Sequence, residues 1–144
     1  MKRFNLVNNV LGWLTFAIGI FTYAMTLEKS GSFWDCGEFA SSAYRLQVAH
    51  PPGAPFFLLL GRIFSLFAAD VVDSSQHVWN VATAINLLSG VMSALNVMFM
   101  FWIITHLARK VVKTEENGEY STGNLIAMMG AGLGDALGAL GGLG

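Results

Sequence analysis

The sequence predicts an all-α membrane protein, with two to three transmembrane helices and interfacial helices in the first outer loop. Three observations predict it. Apolar residues fill 54% of the 144 positions and charged residues only 12%, where soluble domains average about 25% charged. The charges are clustered, so Phe4 to Leu27 is a run of 24 residues without one, and Ser74 to Ala108 a run of 35. Mean hydropathy is positive, at +0.56. So few charges cannot cover a soluble globule, and a disordered tail needs the opposite balance. A net charge of −1 without a basic block argues against nucleic acid as a partner. The single cysteine, Cys36, excludes an internal disulfide framework and a Cys-based zinc site.

The first span is expected at about 5–27. At about 1.5 Å per residue, its uncharged run outreaches a hydrocarbon core of about 30 Å. Lys2 and Arg3 precede it, as in a signal peptide. The apolar part is longer than a signal core, however, and no small-x-small cleavage site follows. The outer loop then runs over 28–77. Phe39, Ala43 and Leu46 recur at i, i+4 and i+7, which predicts an amphipathic interfacial helix over 36–48. All three prolines lie between 51 and 55 and should stop it. Pro55 suits the first turn of a next helix, over 55–69. This segment is too short to cross and carries Arg62 at its middle. An arginine there costs about 2.5–3.5 kcal/mol on insertion scales, so the helix is expected to stay in the interface.

The second span is expected at about 78–107, with Trp79 and Trp102 as anchors at the two interfaces. A loop over 108–123 follows. The segment 124–144 reads as a weak or incomplete span, because seven of its last fifteen residues are glycine and Asp135 interrupts it. Each helical glycine costs about 1 kcal/mol relative to alanine. The chain is therefore expected to be the N-terminal piece of something longer. Gly12, Thr15, Gly19 and Thr22 share one face of the first span, and Asn86, Gly90, Ser93 and Asn96 one face of the second. Small and polar stripes of this kind pack helices together, and no chemistry is assigned to them.

Positive residues set the orientation. With 55–69 held on the outer side, Lys2, Arg3, Arg109, Lys110 and Lys113 fall inside and only Lys29, Arg45 and Arg62 outside. The N-terminus and 108–123 are thus cytoplasmic. His77 and His106 flank the second span as interface residues.

The outer loop holds the chemistry. Asp35 and Glu38 lie three residues apart at the start of the predicted helix. As structure, they imitate a capping box, with Asp35 as the cap. As chemistry, a carboxylate pair on the outer face could take a proton from an acceptor hydroxyl or hold a divalent cation. Both readings stay open. His50, before two prolines, reads by itself as a loop residue. Arg62 either snorkels or awaits an anion, which at this depth is a lipid phosphate.

The run Trp34-Asp35-Cys36-Gly37-Glu38-Phe39, followed by Ala43-Tyr44-Arg45-Leu46-Gln47-Val48-Ala49-His50-Pro51-Pro52-Gly53-Ala54-Pro55, resembles the first outer loop of a family of polytopic membrane glycosyltransferases. They are relatives of a vertebrate transmembrane protein O-mannosyltransferase, with a bacterial branch, and are of the GT-C type. The resemblance extends from the first span to roughly residue 130. It implies a GT-C-like N-terminal portion, a polyprenyl-phosphate-linked sugar donor, and an acceptor hydroxyl on Ser or Thr of an exported protein. It places Asp35 and Glu38 in the family's acidic motif as catalytic residues. His50 and Arg62 become substrate-binding residues that stabilise the departing phosphate. No cofactor is certain, and a divalent cation is possible. The expected location is the bacterial inner membrane. The rival readings are a non-catalytic membrane scaffold or transporter subunit whose outer loop only packs, and an inactive truncated fragment. The discriminating feature is whether Asp35 and Arg62 face one lipid-accessible cleft.

Overall fold

The computed structural model describes residues 2–29, 34–51, 54–68, 80–112 and 120–141. These form five α-helices and no strand: α1 (Lys2–Met25), α2 (Cys36–Arg45), α3 (Pro55–Ser65), α4 (Val81–Val111) and α5 (Thr122–Gly141). Helices α1, α4 and α5 are long and apolar enough to cross a membrane. The chain is an all-α membrane protein with three candidate spans. The segment expected as a weak span is one continuous helix of 20 residues, or about 30 Å. His77, Trp79 and Lys113 lie outside the described residues.

The chain forms two compact units, Met1–Thr22 with Met92–Gly144, and Tyr23–Val91. The first has a core of Phe4, Val97, Phe101, Met128, Met129 and Ala136. On α1 the predicted stripe buries Gly12, Thr15 and Gly19. A side chain at Gly12 would run into the Trp102 indole, and one at Gly19 would meet Ala94 Cβ at 3.3 Å. Trp102 donates its indole N–H to the Asn8 carbonyl at 3.2 Å. It therefore packs α4 against α1. An indole N–H in apolar surroundings takes the acceptor within reach. The fully buried Thr105 hydroxyl lies 2.7 Å from Asn8 Oδ1. Leu6, Val10, Leu14, Ile18 and Phe21 leave α1 with an exposed apolar face, the composition that hydrocarbon solvates.

In the second unit, Asn80 caps α4 by accepting the Thr83 N–H at 2.8 Å and donates to the Lys29 carbonyl at 2.9 Å. Asn86 donates to the Glu28 carbonyl at 3.0 Å. These bonds tie the segment after α1 to the start of α4. Ala43, Leu58 and Ile85 form the unit's core, and α3 packs on α2 at Gly61, where an added Cβ would lie 2.8 Å from that of Ala43.

Helix α2 ends at Arg45, before the position 48 expected and well before the prolines. Its stop is a Schellman turn. Leu46 adopts the left-handed conformation, φ 51°, its N–H approaches the Ala43 carbonyl at 3.4 Å, and the Gln47 N–H bonds the Ser42 carbonyl at 2.9 Å. Pro55 does open α3, and Ala54 before it is also left-handed, φ 37°.

Candidate functional site

The turn at Leu46 builds the site. Glu38 lies in the first turn of α2, about 10 Å back along the helix from Arg45. Four extended residues cover about 13 Å, so the stretch from Leu46 to His50 can return alongside α2 to its beginning. Ala49, 4% exposed, anchors that return. His50 then meets Glu38 twice. Its backbone N–H donates to Glu38 Oε1 at 2.8 Å, and its Nδ1 lies 2.9 Å from Oε2. Phe39 stacks edge-on between the His50 and Phe57 rings, at centroid distances of 5.7 and 6.0 Å.

Asp35 immediately precedes α2, and its side chain makes no capping bond. The capping box therefore does not form. Glu38, which should reach back in such a box, is held by His50 instead. The Asp35 carboxylate points toward the other ring nitrogen, with Oδ2 at 3.8 Å from His50 Nε2. That is too long for a hydrogen bond and short enough for attraction between charges. Asp35, Glu38 and His50 each offer one ligand atom, all within 4.8 Å of one another. A divalent cation could be held by this set. All three side chains are about half exposed.

The contact shifts both titrations. The His50 backbone N–H, and then its ring, hold the Glu38 carboxyl below its ordinary value. The bond to Glu38, with smaller charge effects from Glu38 and Asp35, pushes His50 above its ordinary value. Each partner favours the other's charged form.

Arg62 lies elsewhere. Its Nη1 donates to the Tyr44 carbonyl at 2.8 Å, and its guanidinium sits 5.2 Å from the centre of the Tyr44 ring. This satisfies one of the last carbonyls of α2, a common use of a cation at a helix C-terminus. The structure thus brings Asp35, Glu38 and His50 together and leaves Arg62 at the other end of α2.

A cavity of about 490 Å³ opens beside Asp35. Trp34, Phe39, Ala54, Phe57 and Ile85 give its walls their apolar character, and Asn86 and Ser89 of α4 add polar groups. Arg62 is not among the described lining residues. The sequence reading assigned nothing to Trp34 or Ser89 and placed Asn86 on a packing face. The available signal was an aromatic residue adjoining the acid, which becomes meaningful only once α4 is seen to face it.

The family model of the protein O-mannosyl-transferase TMEM260 N-terminal domain matches residues 35–140. The protein O-mannosyl-transferase TMEM260 of Mus musculus is 33% identical over 87 residues, 60% of this chain and 11% of that protein. Its counterpart from Dictyostelium discoideum is 34% identical over 89 residues, 58% of this chain and 10% of that protein. The chain thus spans about a tenth of the length of the curated relatives it matches. No solved structure matches it significantly.

Proposed function

Because the chain belongs to the protein O-mannosyl-transferase TMEM260 N-terminal domain family, we propose that it forms the N-terminal membrane part of a glycosyltransferase. The reaction is transfer of a sugar from a polyprenyl-phosphate donor to a Ser or Thr hydroxyl of an exported protein. The observation that carries this reading is Asp35, a carboxylate that makes no capping bond and lines a cavity beside a Glu38–His50 pair. The site would face outward from a bacterial inner membrane, with the N-terminus cytoplasmic, as the distribution of Lys and Arg favours.

In this reading the acceptor oxygen forms a bond to the sugar's anomeric carbon. The bond from that carbon to the phosphate oxygen breaks, and the phosphate leaves with the electron pair. Asp35 orients the hydroxyl and receives its proton. Glu38 positions His50 and favours its cationic form, which faces the negative charge developing on the phosphate. Arg62, engaged with the Tyr44 carbonyl at the other end of α2, does not share this position. Asp35, Glu38 and a neutral His50 could instead hold a divalent cation, which would supply that charge stabilisation in place of the imidazolium when bound. One observation favours the scaffold reading: Arg62 is engaged with Tyr44 and does not share the Asp35 cavity among the described residues.

Asp35→Asn in a full-length chain carrying this N-terminus separates the two. The substitution removes the proton acceptor at nearly constant size, and no capping bond is lost with it. Transfer should fall by about 10²-fold or more with folding unchanged. Retention of more than roughly a third of wild-type transfer, far above a general base's usual effect, would overturn the catalytic assignment.

A further inference from the structure

A separate cavity of about 610 Å³ opens between α2 and the first turn of α4. Gly37, Ala40, Ser41 and Tyr44, spaced at i, i+3, i+4 and i+7, give it one wall, and Val81 and Ala82 give it another. Arg45 and Gln47 complete the lining, and all of these residues belong to the unit Tyr23–Val91. The cavity shares no described lining residue with the one beside Asp35. Its size lies within the roughly 300–1,000 Å³ of small-molecule sites.

Arg45 sits in the last turn of α2, where a cation ordinarily satisfies terminal carbonyls or offsets the negative end of the helix dipole. Other groups take those carbonyls. Ser42 O accepts the Gln47 N–H at 2.9 Å, Ala43 O is approached by the Leu46 N–H at 3.4 Å, and Tyr44 O accepts from Arg62 Nη1 at 2.8 Å. Arg62 also brings its own charge to that helix end. The Arg45 guanidinium is therefore not needed there, and it makes no bond among the described residues.

Arg45 is the charged residue among the described lining residues, so the cavity selects an anion. The Tyr44 hydroxyl and the Gln47 amide add neutral donors, whereas the Ser41 hydroxyl is given to the Gly37 carbonyl at 2.7 Å. The surroundings select the source of the anion. Leu46 and Val48, on either side of Gln47, are 56% and 91% exposed. The Arg62–Tyr44 bond brings the end of α3 to the end of α2, and Leu66 and Phe67, just beyond α3, are exposed as well. A cation among exposed apolar side chains is the composition of a membrane-surface segment, whose apolar residues lie among acyl chains while the cation stays at the phosphates. A soluble anion makes no use of those side chains.

We propose that this cavity holds the headgroup of an anionic glycerophospholipid of the surrounding bilayer. The planar fork of Arg45 meets two phosphodiester oxygens, and Tyr44 and Gln47 donate to the remaining ones. The bound headgroup keeps the C-terminal end of α2 at the membrane surface. The helix, about 15 Å long, carries that constraint to Glu38 in its first turn. The inference stands apart from the transferase reading and uses no residue of the proposed catalytic set.

The test places the 144-residue chain in phosphatidylcholine nanodiscs carrying increasing proportions of phosphatidylglycerol, and follows the Gly37 and Gln47 backbone amides by NMR. Their shifts should saturate in wild type. Arg45→Gln should weaken the response about fivefold, Arg45→Lys should recover most of it, and Tyr44→Phe should lose a smaller factor. Lys29→Gln removes an equal charge from the same loop outside the cavity and should change nothing. An unsaturated response in wild type overturns the proposal, as does an unchanged response in an Arg45→Gln variant with wild-type thermal stability. An equal loss in Lys29→Gln also overturns it, because attraction is then diffuse. Three competitors identify the anion. Saturation of the same amides by inorganic phosphate in pure phosphatidylcholine would make this a site for a soluble anion. Displacement of phosphatidylglycerol by an acidic peptide would make it a peptide site, and preferential displacement by a polyprenyl phosphate would make it part of a donor site. Each of these overturns the assignment to a bilayer lipid, and failure of all three to displace phosphatidylglycerol supports it. Asp35→Asn should leave lipid binding unchanged, so the lipid site and the transferase reading fail separately.

Discussion

Both oxygens of the Glu38 carboxylate are occupied by one residue, His50, whose backbone N–H and Nδ1 approach them at 2.8 and 2.9 Å. The ring is thereby fixed with Nε2 turned toward Asp35, 3.8 Å from its Oδ2. A carboxylate that orients an imidazole by one nitrogen leaves the other for a proton, a cation or a substrate.

The first prediction follows from the signs of the two shifts. Glu38 lies below its ordinary 4.5, so its contribution to stability is present above pH 4.5 and lost as pH falls through the lowered value. His50 lies above its ordinary 6.5, so its contribution is present below pH 6.5 and lost as pH rises through the raised value. The pair is therefore fully formed between pH 4.5 and 6.5. His50 ring shifts in an NMR titration, assigned with His50→Asn, should show a midpoint that drops in Glu38→Gln. An unchanged midpoint would mean that the contact is absent in solution.

Arg62→Leu should act on two quantities. Its bond to the Tyr44 carbonyl links α3 to the end of α2, so thermal stability should fall. If it also meets the donor phosphate, loss of a charge-assisted hydrogen bond, worth about 1.5–3 kcal/mol, should weaken donor binding roughly 10- to 100-fold. Arg62→Lys should be an incomplete substitute for want of the planar fork. Equal donor affinity for wild type and Arg62→Leu in a full-length chain would reduce Arg62 to a structural residue.

Gly61→Ala should destabilise the α2–α3 pair. The new methyl would lie 2.8 Å from Ala43 Cβ, which is 0% exposed and has no rotamer to yield. Overpacking costs about 1–3 kcal/mol, against a helix-propensity gain of about 1 kcal/mol. Gly37→Ala, with nothing within 4 Å among the described residues, should be neutral or mildly stabilising. Thermal melts followed by circular dichroism distinguish the two, and a stabilised Gly61→Ala would contradict the packing.

Cys36 reports topology. It is the single thiol in the chain and is exposed. On the proposed orientation, which puts residues 28–77 outside, a membrane-impermeant maleimide should label intact spheroplasts to the same extent as permeabilised ones. Labelling confined to inverted vesicles would reverse the orientation.

The membrane class, the first two long helices and the packing role of Gly12, Thr15 and Gly19 were legible in the sequence alone, whereas 124–144 read only as a weak or incomplete span. Hydropathy and the spacing of small residues act locally, over a few helical turns, and need no partner to be named. The acidic motif was legible too, as a pair at the start of α2. What each acid does was not. Glu38 could cap or pair, and the return path from Leu46 to His50 decided for pairing, across 12 positions. Arg62 read as snorkelling or awaiting a phosphate, and the approach of α2 to α3 at Gly61 gave it the Tyr44 carbonyl, which neither reading named. Trp102 read only as an aromatic at the end of a span, and its bond to the Asn8 carbonyl, 94 positions away, is specified by the packing of α1 and α4. A polar side chain takes the nearest partner that offsets its desolvation. Which partner is nearest depends on how helices distant in sequence are brought together, and only the tertiary structure specifies that.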